Sequence, residues 1–155
     1  MTANGDDSGE DLATAYLEAG RLDEAIPLLE RTLTDRTRTL GDAHPDTVTV
    51  RNTLATAYLV AGRLDEAIPL YERNLTDREQ AVGDTHPSVL TFRNNLARVY
   101  RKAGRLDDAI ALYELTLTDR ERTLGVAHPH SVLTRTSLAD AYTEAGRPDE
   151  AERLR

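Results

Sequence analysis

Three histidines recur at a constant spacing, and they are the first residues whose chemistry must be considered. His44, His86 and His128 each precede a proline and lie 42 residues apart, and His130 gives the third copy a second imidazole. A zinc site, however, needs three or four ligands at about 2.0–2.3 Å from one ion. Residues one period apart belong to different structural units. We therefore interpret the histidines as markers of helix starts and predict no metal site.

Catalytic groups are equally hard to assemble from this sequence. The chain has no cysteine, so a thiolate nucleophile and a disulfide framework are excluded. Its glycines are spread along the chain rather than clustered in a phosphate-binding loop, and no nucleophile has a matching base. We predict that the protein is not an enzyme and uses no cofactor.

A polar, basic stripe is the strongest functional signal. Between residues 94 and 102, helical spacing of about 100° per residue places two asparagines and three cations in one arc of about 120°. An asparagine amide can pair with the N–H and C=O groups of an extended peptide, and an arginine can hold a carboxylate with two parallel bonds. The arc therefore suits an acidic peptide, and the alternative is a solvated helix face. Its members are Asn94, Asn95, Arg98, Arg101 and Lys102.

Charge is distributed unevenly along the chain. The formal net charge of −8 disfavours nucleic-acid binding, which needs clustered cations. Residues 2–21 carry five acids and one arginine, whereas residues 88–105 carry five cations and no acid. No apolar run is long enough to span a membrane, and the N-terminal residues do not resemble a signal peptide. We expect a cytoplasmic protein with a protein or peptide partner of acidic character, and neither nucleic acid nor membrane as a partner.

A repeated helical unit must position these residues. The pattern L-A-x-x-Y-x-x-A-G-R-L-D-[DE]-A-I occupies residues 12–26, 54–68 and 96–110, and a related copy begins at Leu138. A fixed period of this length is typical of stacked units that cannot bury their apolar face alone. In each copy an apolar stripe of helical spacing ends at a glycine, after which a second helix starts. The pattern predicts a string of helix hairpins.

Glycines and prolines predict where the helices stop and start. Gly41, Gly83 and Gly125 end the longer helices, and a proline follows four residues later at the start of the next helix. The acids at the second-helix starts, such as Asp107, are expected to cap those helices. Residues 1–9 are polar and aperiodic, and we predict a frayed or disordered N-terminus. Hairpins are predicted over residues 10–41, 45–83, 87–125 and 129–155, the last one truncated. The helices are predicted over residues 10–19, 23–40, 45–61, 65–82, 87–103, 107–124 and 129–145, with a short final helix from residue 149.

Another set of arginines lies beside the apolar stripe. Arg51, Arg93 and Arg135 recur with the same period, about 60° from the stripe leucines on a helical wheel. A half-buried guanidinium needs an acceptor. We expect structural ion pairs with second-helix acids, and a ligand contact is the alternative. The expected acids are Asp35, Asp77 and Asp119.

The helix-turn-helix unit resembles a tetratricopeptide repeat. The resemblance rests on the L-A-x-x-Y, G-R-L and [DE]-A-I elements and covers residues 10–155. The period of 42 and the L-G-x-x-H-P connector, at residues 40–45 and 124–129, are similar to the longer repeats of kinesin light chain and of many bacterial regulatory proteins. The resemblance implies an all-α fold, a right-handed superhelix (α-solenoid) of about three and a half repeats.

The resemblance also implies a function. In this family the first helices line a concave groove, so the expected function is a protein-interaction scaffold that binds an extended peptide or partner segment there. Matching the family's ligand-contacting positions to this chain adds residues on other first helices to the basic stripe. The expected peptide-binding residues are Asn52, Thr56, Asn94, Asn95, Arg98, Arg101, Lys102 and Ser137.

Two alternative functions stay open. In the truncated last repeat, Leu138 and Tyr142 are expected to lack the cover that the longer second helices give elsewhere, and exposed apolar faces recruit partners. The chain could therefore be a self-assembling structural module, a weak homo-oligomer joined through its terminal helices. Alternatively, it is the sensor or scaffold segment of a larger bacterial regulator.

Overall fold

A computed structural model describes residues 7–155 of the protein, and this part of the chain contains eight α-helices. The predicted helices are confirmed, with boundaries shifted by at most three residues, because α1 begins at Asp7 rather than at residue 10. Residues 1–6 of the N-terminal stretch predicted to be frayed lie outside the described residues. The helices are α1 (Asp7–Glu18), α2 (Leu22–Leu40), α3 (Pro45–Val60), α4 (Leu64–Val82), α5 (Pro87–Lys102), α6 (Leu106–Leu124), α7 (Pro129–Glu144) and α8 (Pro148–Arg153).

The helices are grouped into two compact units, Met1–Asn74 and Leu75–Arg155, with the boundary inside α4. In the first unit, α2 packs against both α1 and α3. In the second unit, α6 packs against both α5 and α7, and α7 also contacts α8. No helix within residues 7–155 combines the length and apolar character needed to cross a bilayer.

The turn inside each hairpin explains the repeated G-R-L-D sequence. Gly104 adopts a left-handed φ of 76°, as predicted for the residue after a helix end. The N–H of Arg105 then donates to the carbonyl of Tyr100 at 2.9 Å, which closes the helix end. The guanidinium of Arg105 lies 4.4 Å from the centroid of the Tyr100 ring, and its Nε donates to Asp108 at 2.7 Å. One arginine thus joins the end of α5 to the start of α6.

The expected capping role of Asp107 is wrong. The N-cap of α6 is Arg105, whose side chain makes no capping hydrogen bond, and Asp107 lies inside the first turn. There its carboxylate complements the positive end of the helix dipole, as the other half of the expectation stated.

Histidine side chains cap the first helices. The Nδ1 atoms of His44, His86 and His128 each accept a hydrogen bond from the backbone N–H two residues later, at 3.2 Å. The interpretation of these histidines as helix starts is confirmed, although the sequence reasoning did not identify the side chain itself as the cap. The rings of His128 and His130 stack with centroids 5.4 Å apart. Within residues 7–155, no three His, Asp or Glu side chains are grouped as potential metal ligands.

The core of the second unit corrects one expectation about the last repeat. Leu138 and Tyr142 are buried, with 2% and 7% of their surface exposed, because α5, α6 and Ala151 of α8 provide the cover. The exposed apolar side chains of α7 are instead Val132 and Leu133, which are 43% and 55% exposed.

Two tyrosine–glutamate bonds join successive hairpins and predict a loss of stability in alkali. The hydroxyl of Tyr58 donates to Glu30, and that of Tyr142 donates to Glu114. Burial, followed by the bond to glutamate, raises the pKa of both tyrosines from 10.0 to about 12. Because the folded-state pKa is raised, the stabilisation is fully present below about pH 10 and is lost as the pH rises to about 12.

We therefore expect the free energy of unfolding to fall across this pH window, as measured by urea denaturation at a series of pH values. The double variant Tyr58→Phe, Tyr142→Phe should show a shallower fall, since it lacks both titrating groups. The same slope in the variant and the wild type would contradict the prediction.

Candidate functional site

Three exposed residues of the predicted basic stripe form what we call the α5 face: Asn95, Arg98 and Lys102. They lie at positions i, i+3 and i+7 of α5, which places them on one side of the helix. Neither Arg98 nor Lys102 forms an ion pair with any residue of the described chain, so both cations are available to an anionic partner.

Asn94 was predicted to belong to the stripe, but it is buried with 7% of its surface exposed. The hydroxyl of Thr134 on α7 donates to its Oδ1 at 3.3 Å, and Arg120 donates to the same hydroxyl. Asn94 is therefore a packing residue between α5 and α7. A helical wheel of α5 alone placed it in the arc because the wheel contains no information about the neighbouring helix.

Arg101 is already paired with carboxylates of α7. Its guanidinium nitrogens contact Glu144 at 2.6–2.9 Å and Asp140 at 3.8 Å. The hydrogen bond to Arg101 lowers the pKa of Glu144, and the same bond raises the pKa of Arg101. Arg101 thus links α5 to α7, whereas the sequence reasoning expected it to face a ligand.

A hydroxyl that the sequence reasoning missed lies behind the α5 face. Tyr113 on α6 is completely buried, and its hydroxyl has no hydrogen-bond partner within the described residues. Burial raises the pKa of Tyr113, and the nearby Arg101, Arg98 and Ser137 oppose this rise. Tyr113 therefore places an unsatisfied polar atom close to two cations and to the predicted site residue Ser137.

The preceding repeat contains the signal that could have revealed this hydroxyl. There the hydroxyl of Tyr71 lies 3.3 Å from that of Thr56. One period later, Tyr71 corresponds to Tyr113 and Thr56 corresponds to Arg98. The change from threonine to arginine removes the hydroxyl partner and adds a positive charge.

The remaining predicted site residues lie in the first unit. Asn52 and Thr56 are both exposed on α3, and the hydroxyl of Thr56 donates to the carbonyl of Asn52 at 3.0 Å. Their contact with a ligand stays a prediction.

The periodic arginines are structural, as expected, although most of their partners differ from those predicted. Arg93 contacts the predicted Asp119 at 2.9 Å and also Glu79 at 2.8 Å. The partners of the other two arginines come from different positions. Arg51 contacts Asp42 at 2.6 Å, and Arg135 contacts Glu121 at 2.5 Å.

Two further buried arginines differ from each other in the charge of their partners. Arg36 pairs with Glu10 at 2.7 Å. Arg120, one of the most buried cations in the described chain, contacts only neutral acceptors there. Burial lowers the pKa of Arg120, since no carboxylate compensates for the lost hydration. Its acceptors are the carbonyls of Leu90 and His130 and the hydroxyl of Thr134.

Comparison with known proteins supports the repeat assignment. The sequence profile described as "Tetratricopeptide repeat" matches residues 8–80, 52–122 and 88–154, whereas no curated protein matches significantly. One similar solved structure is of a kinesin light chain candidate from Podosopora anserina with nearly identical TPR-like repeats. It is 32% identical, with a TM-score of 0.78, over 96% of this chain and 70% of that one.

Two other solved structures share the fold. BtubC (BKLC) from P. vanneervenii has a TM-score of 0.80 at 24% identity, over 96% of this chain and 59% of that chain. MamA from AMB-1 has a TM-score of 0.67 at 26% identity, over 96% of this chain and 68% of that chain. From the profile matches, the hairpin structure and the constant period, the chain belongs to the tetratricopeptide repeat family, with repeats of the kinesin-light-chain-like kind.

Proposed function

We propose that the protein is an interaction module that binds an acidic, extended segment of a partner protein along the α5 face, without catalysis. The observation that carries this proposal is the pair of exposed cations, Arg98 and Lys102, which form no ion pair within the described residues. Most other arginines of the chain are paired with acids, so an unpaired cluster on one helix face is unusual for this protein.

The neighbourhood of Arg98 adds a second polar contact. A carboxylate of the partner that bonds to Arg98 would lie close to the unsatisfied hydroxyl of Tyr113 and to Ser137. Such a carboxylate could accept from the guanidinium and from the tyrosine hydroxyl, which would satisfy a buried donor that otherwise destabilises the fold. Asn95, one residue from the buried Asn94, is exposed and can pair with the backbone of an extended segment.

The acids of α7 limit where the partner's charges can lie. Because Glu144 and Asp140 already hold Arg101, an acidic segment would be repelled from that edge and attracted to Arg98 and Lys102. In the first unit, Asn52 and Thr56 remain proposed contacts for a partner segment.

The proposal is tested with a fluorescently labelled peptide that carries Glu at alternating positions, compared with the same peptide carrying Gln. We expect the acidic peptide to bind more tightly, and its affinity to fall with added salt, because exposed charge pairs are screened over about 8 Å at physiological ionic strength. The double variant Arg98→Glu, Lys102→Glu should weaken binding by about tenfold or more, which corresponds to about 1.4 kcal/mol.

A matched control separates this site from general attraction between charges. Arg31→Glu, Arg38→Glu makes the same change in net charge on exposed residues of α2. We expect this control to bind within about twofold of the wild type in a fluorescence anisotropy titration. Equal losses in both double variants, or equal binding of the Glu and Gln peptides, would contradict the proposal.

A further inference from the structure

The second open surface of the molecule lies on α7. Val132, Arg135, Thr136, Ala139 and Asp140 follow the i, i+3, i+4, i+7, i+8 spacing of one helix side, and we call them the α7 face. Together with Leu154 and Arg155 they line a pocket of ≈ 290 Å³. The face therefore has the shape of a groove that a helix could enter.

The same positions on α5 show what such a face normally contacts. Leu90, one period before Val132, is 2% exposed, whereas Val132 is 43% exposed. Asn94, one period before Thr136, is covered by Thr134 of α7. A first helix of this protein therefore accepts another first helix on this side, and the α7 face is free in the described chain.

We propose that the α7 face binds the α7 face of a second copy of the chain, with the two helices antiparallel about a two-fold axis. This proposal is independent of the peptide-binding function. The axis would pass between Thr136 and Ala139, so that Arg135 of each copy lies opposite Asp140 of the partner subunit. A two-fold contact forms each such pair twice, and the small side chains at the crossing point allow the helices to approach closely.

The charges of the face favour a second copy over other occupants. The face carries one cation and one anion within an apolar frame, so neither a purely acidic nor a purely basic partner complements it. Asp140 is 49% exposed, and its one ion contact within residues 7–155 is the long 3.8 Å approach of Arg101. The side chain of Arg135 is 26% exposed and bonds to Glu121 and to the carbonyl of Val126, which leaves guanidinium donors for a further acceptor.

Head-to-tail contact between terminal helices, as the sequence suggested, fits less well. Helix α1 carries four acids and no cation, with the sequence DSGEDLATAYLE. Docking α1 of one copy onto the α7 face of another would therefore bring further acids towards Asp140. The antiparallel α7 contact removes this repulsion.

The absence of cysteine allows a direct test of the geometry. The variants Thr136→Cys and Ala139→Cys are prepared separately, mixed in equal amounts and oxidised in a glutathione buffer. Because the two-fold arrangement places residue 136 opposite residue 139 of the partner subunit, the mixed disulfide should form in excess of both homodimers. A predominance of homodimers would overturn the antiparallel register.

Sedimentation equilibrium tests the charge pairs. We expect the wild-type chain to dimerise with increasing concentration and Asp140→Arg to raise the dissociation constant about tenfold or more, since it places two arginines opposite each other. Asp84→Arg makes the same charge change at an exposed loop residue of the same unit and should leave the dimer unchanged. Thermal unfolding followed by circular dichroism verifies that both variants are folded. A wild-type chain that stays monomeric at millimolar concentration, or equal effects of the two variants, would overturn the proposal.

Discussion

Replacing Arg93 with methionine is expected to lower the free energy of unfolding by about 3 kcal/mol. The side chain of Arg93 is 5% exposed and lies between Glu79 and Asp119, at 2.8 and 2.9 Å. Removing one partner of a buried ion pair typically costs about 3–5 kcal/mol, because the remaining charge is left without compensation. We expect the lower end, since the Glu79 side chain is 29% exposed and Asp119 keeps a contact with Arg122 at 3.2 Å.

Arg120→Met is the matched control for this prediction. Arg120 is as buried as Arg93, but its partners in the described chain are two carbonyls and one hydroxyl. Its removal leaves no carboxylate uncompensated and eliminates a buried charge, so the change should lie within about 1 kcal/mol of the wild type or be stabilising. Urea denaturation of both variants measures the difference. Equal losses would show that the two arginines act by packing alone.

Tyr113→Ala is expected to lower the free energy of unfolding by about 4 kcal/mol. Tyr113 has no exposed surface and packs at the centre of the core formed by α5, α6, α7 and Ala151. Truncating a large buried aromatic side chain typically costs about 3–5 kcal/mol, because it loses apolar contacts and leaves a cavity.

Tyr113→Phe separates the ring from the hydroxyl. Because the hydroxyl has no partner in the described chain, we expect its removal to change stability by less than about 1 kcal/mol or to increase it. The same variant should weaken the binding of the Glu-containing peptide, since the proposed carboxylate loses a donor. A loss of stability similar to that of Tyr113→Ala would show that the hydroxyl is satisfied in the folded protein. Urea denaturation and fluorescence anisotropy provide the two measurements.

The fold could be predicted from the sequence because its determinants are local. The glycine at the end of each first helix needs a left-handed backbone, and the proline after each histidine starts the next helix. These signals act within a few residues and recur four times and three times, respectively, in the sequence. Repetition therefore corrected any single ambiguous boundary.

The site could be predicted only in part, because its members depend on neighbours one repeat away. Arg98 and Lys102 were identified from the pattern of α5 alone, since nothing in the second unit covers them. Asn94 and Arg101 were assigned wrongly because Thr134 and Glu144, their partners on α7, lie 40 and 43 residues later. A helical wheel of one helix cannot include such contacts.

The tyrosine–glutamate bonds have a consequence for how such a chain can lengthen during evolution. In both described cases the donor lies in a first helix and the acceptor lies 28 residues earlier, in the second helix of the preceding hairpin. An in-frame duplication of 42 residues therefore creates a junction whose donor and acceptor are both already encoded. The new copy meets its neighbour through a contact that selection has already tested, and stability in such arrays depends chiefly on contacts between adjacent copies. Gene duplication can thus add a hairpin here without any compensating point mutation at the junction.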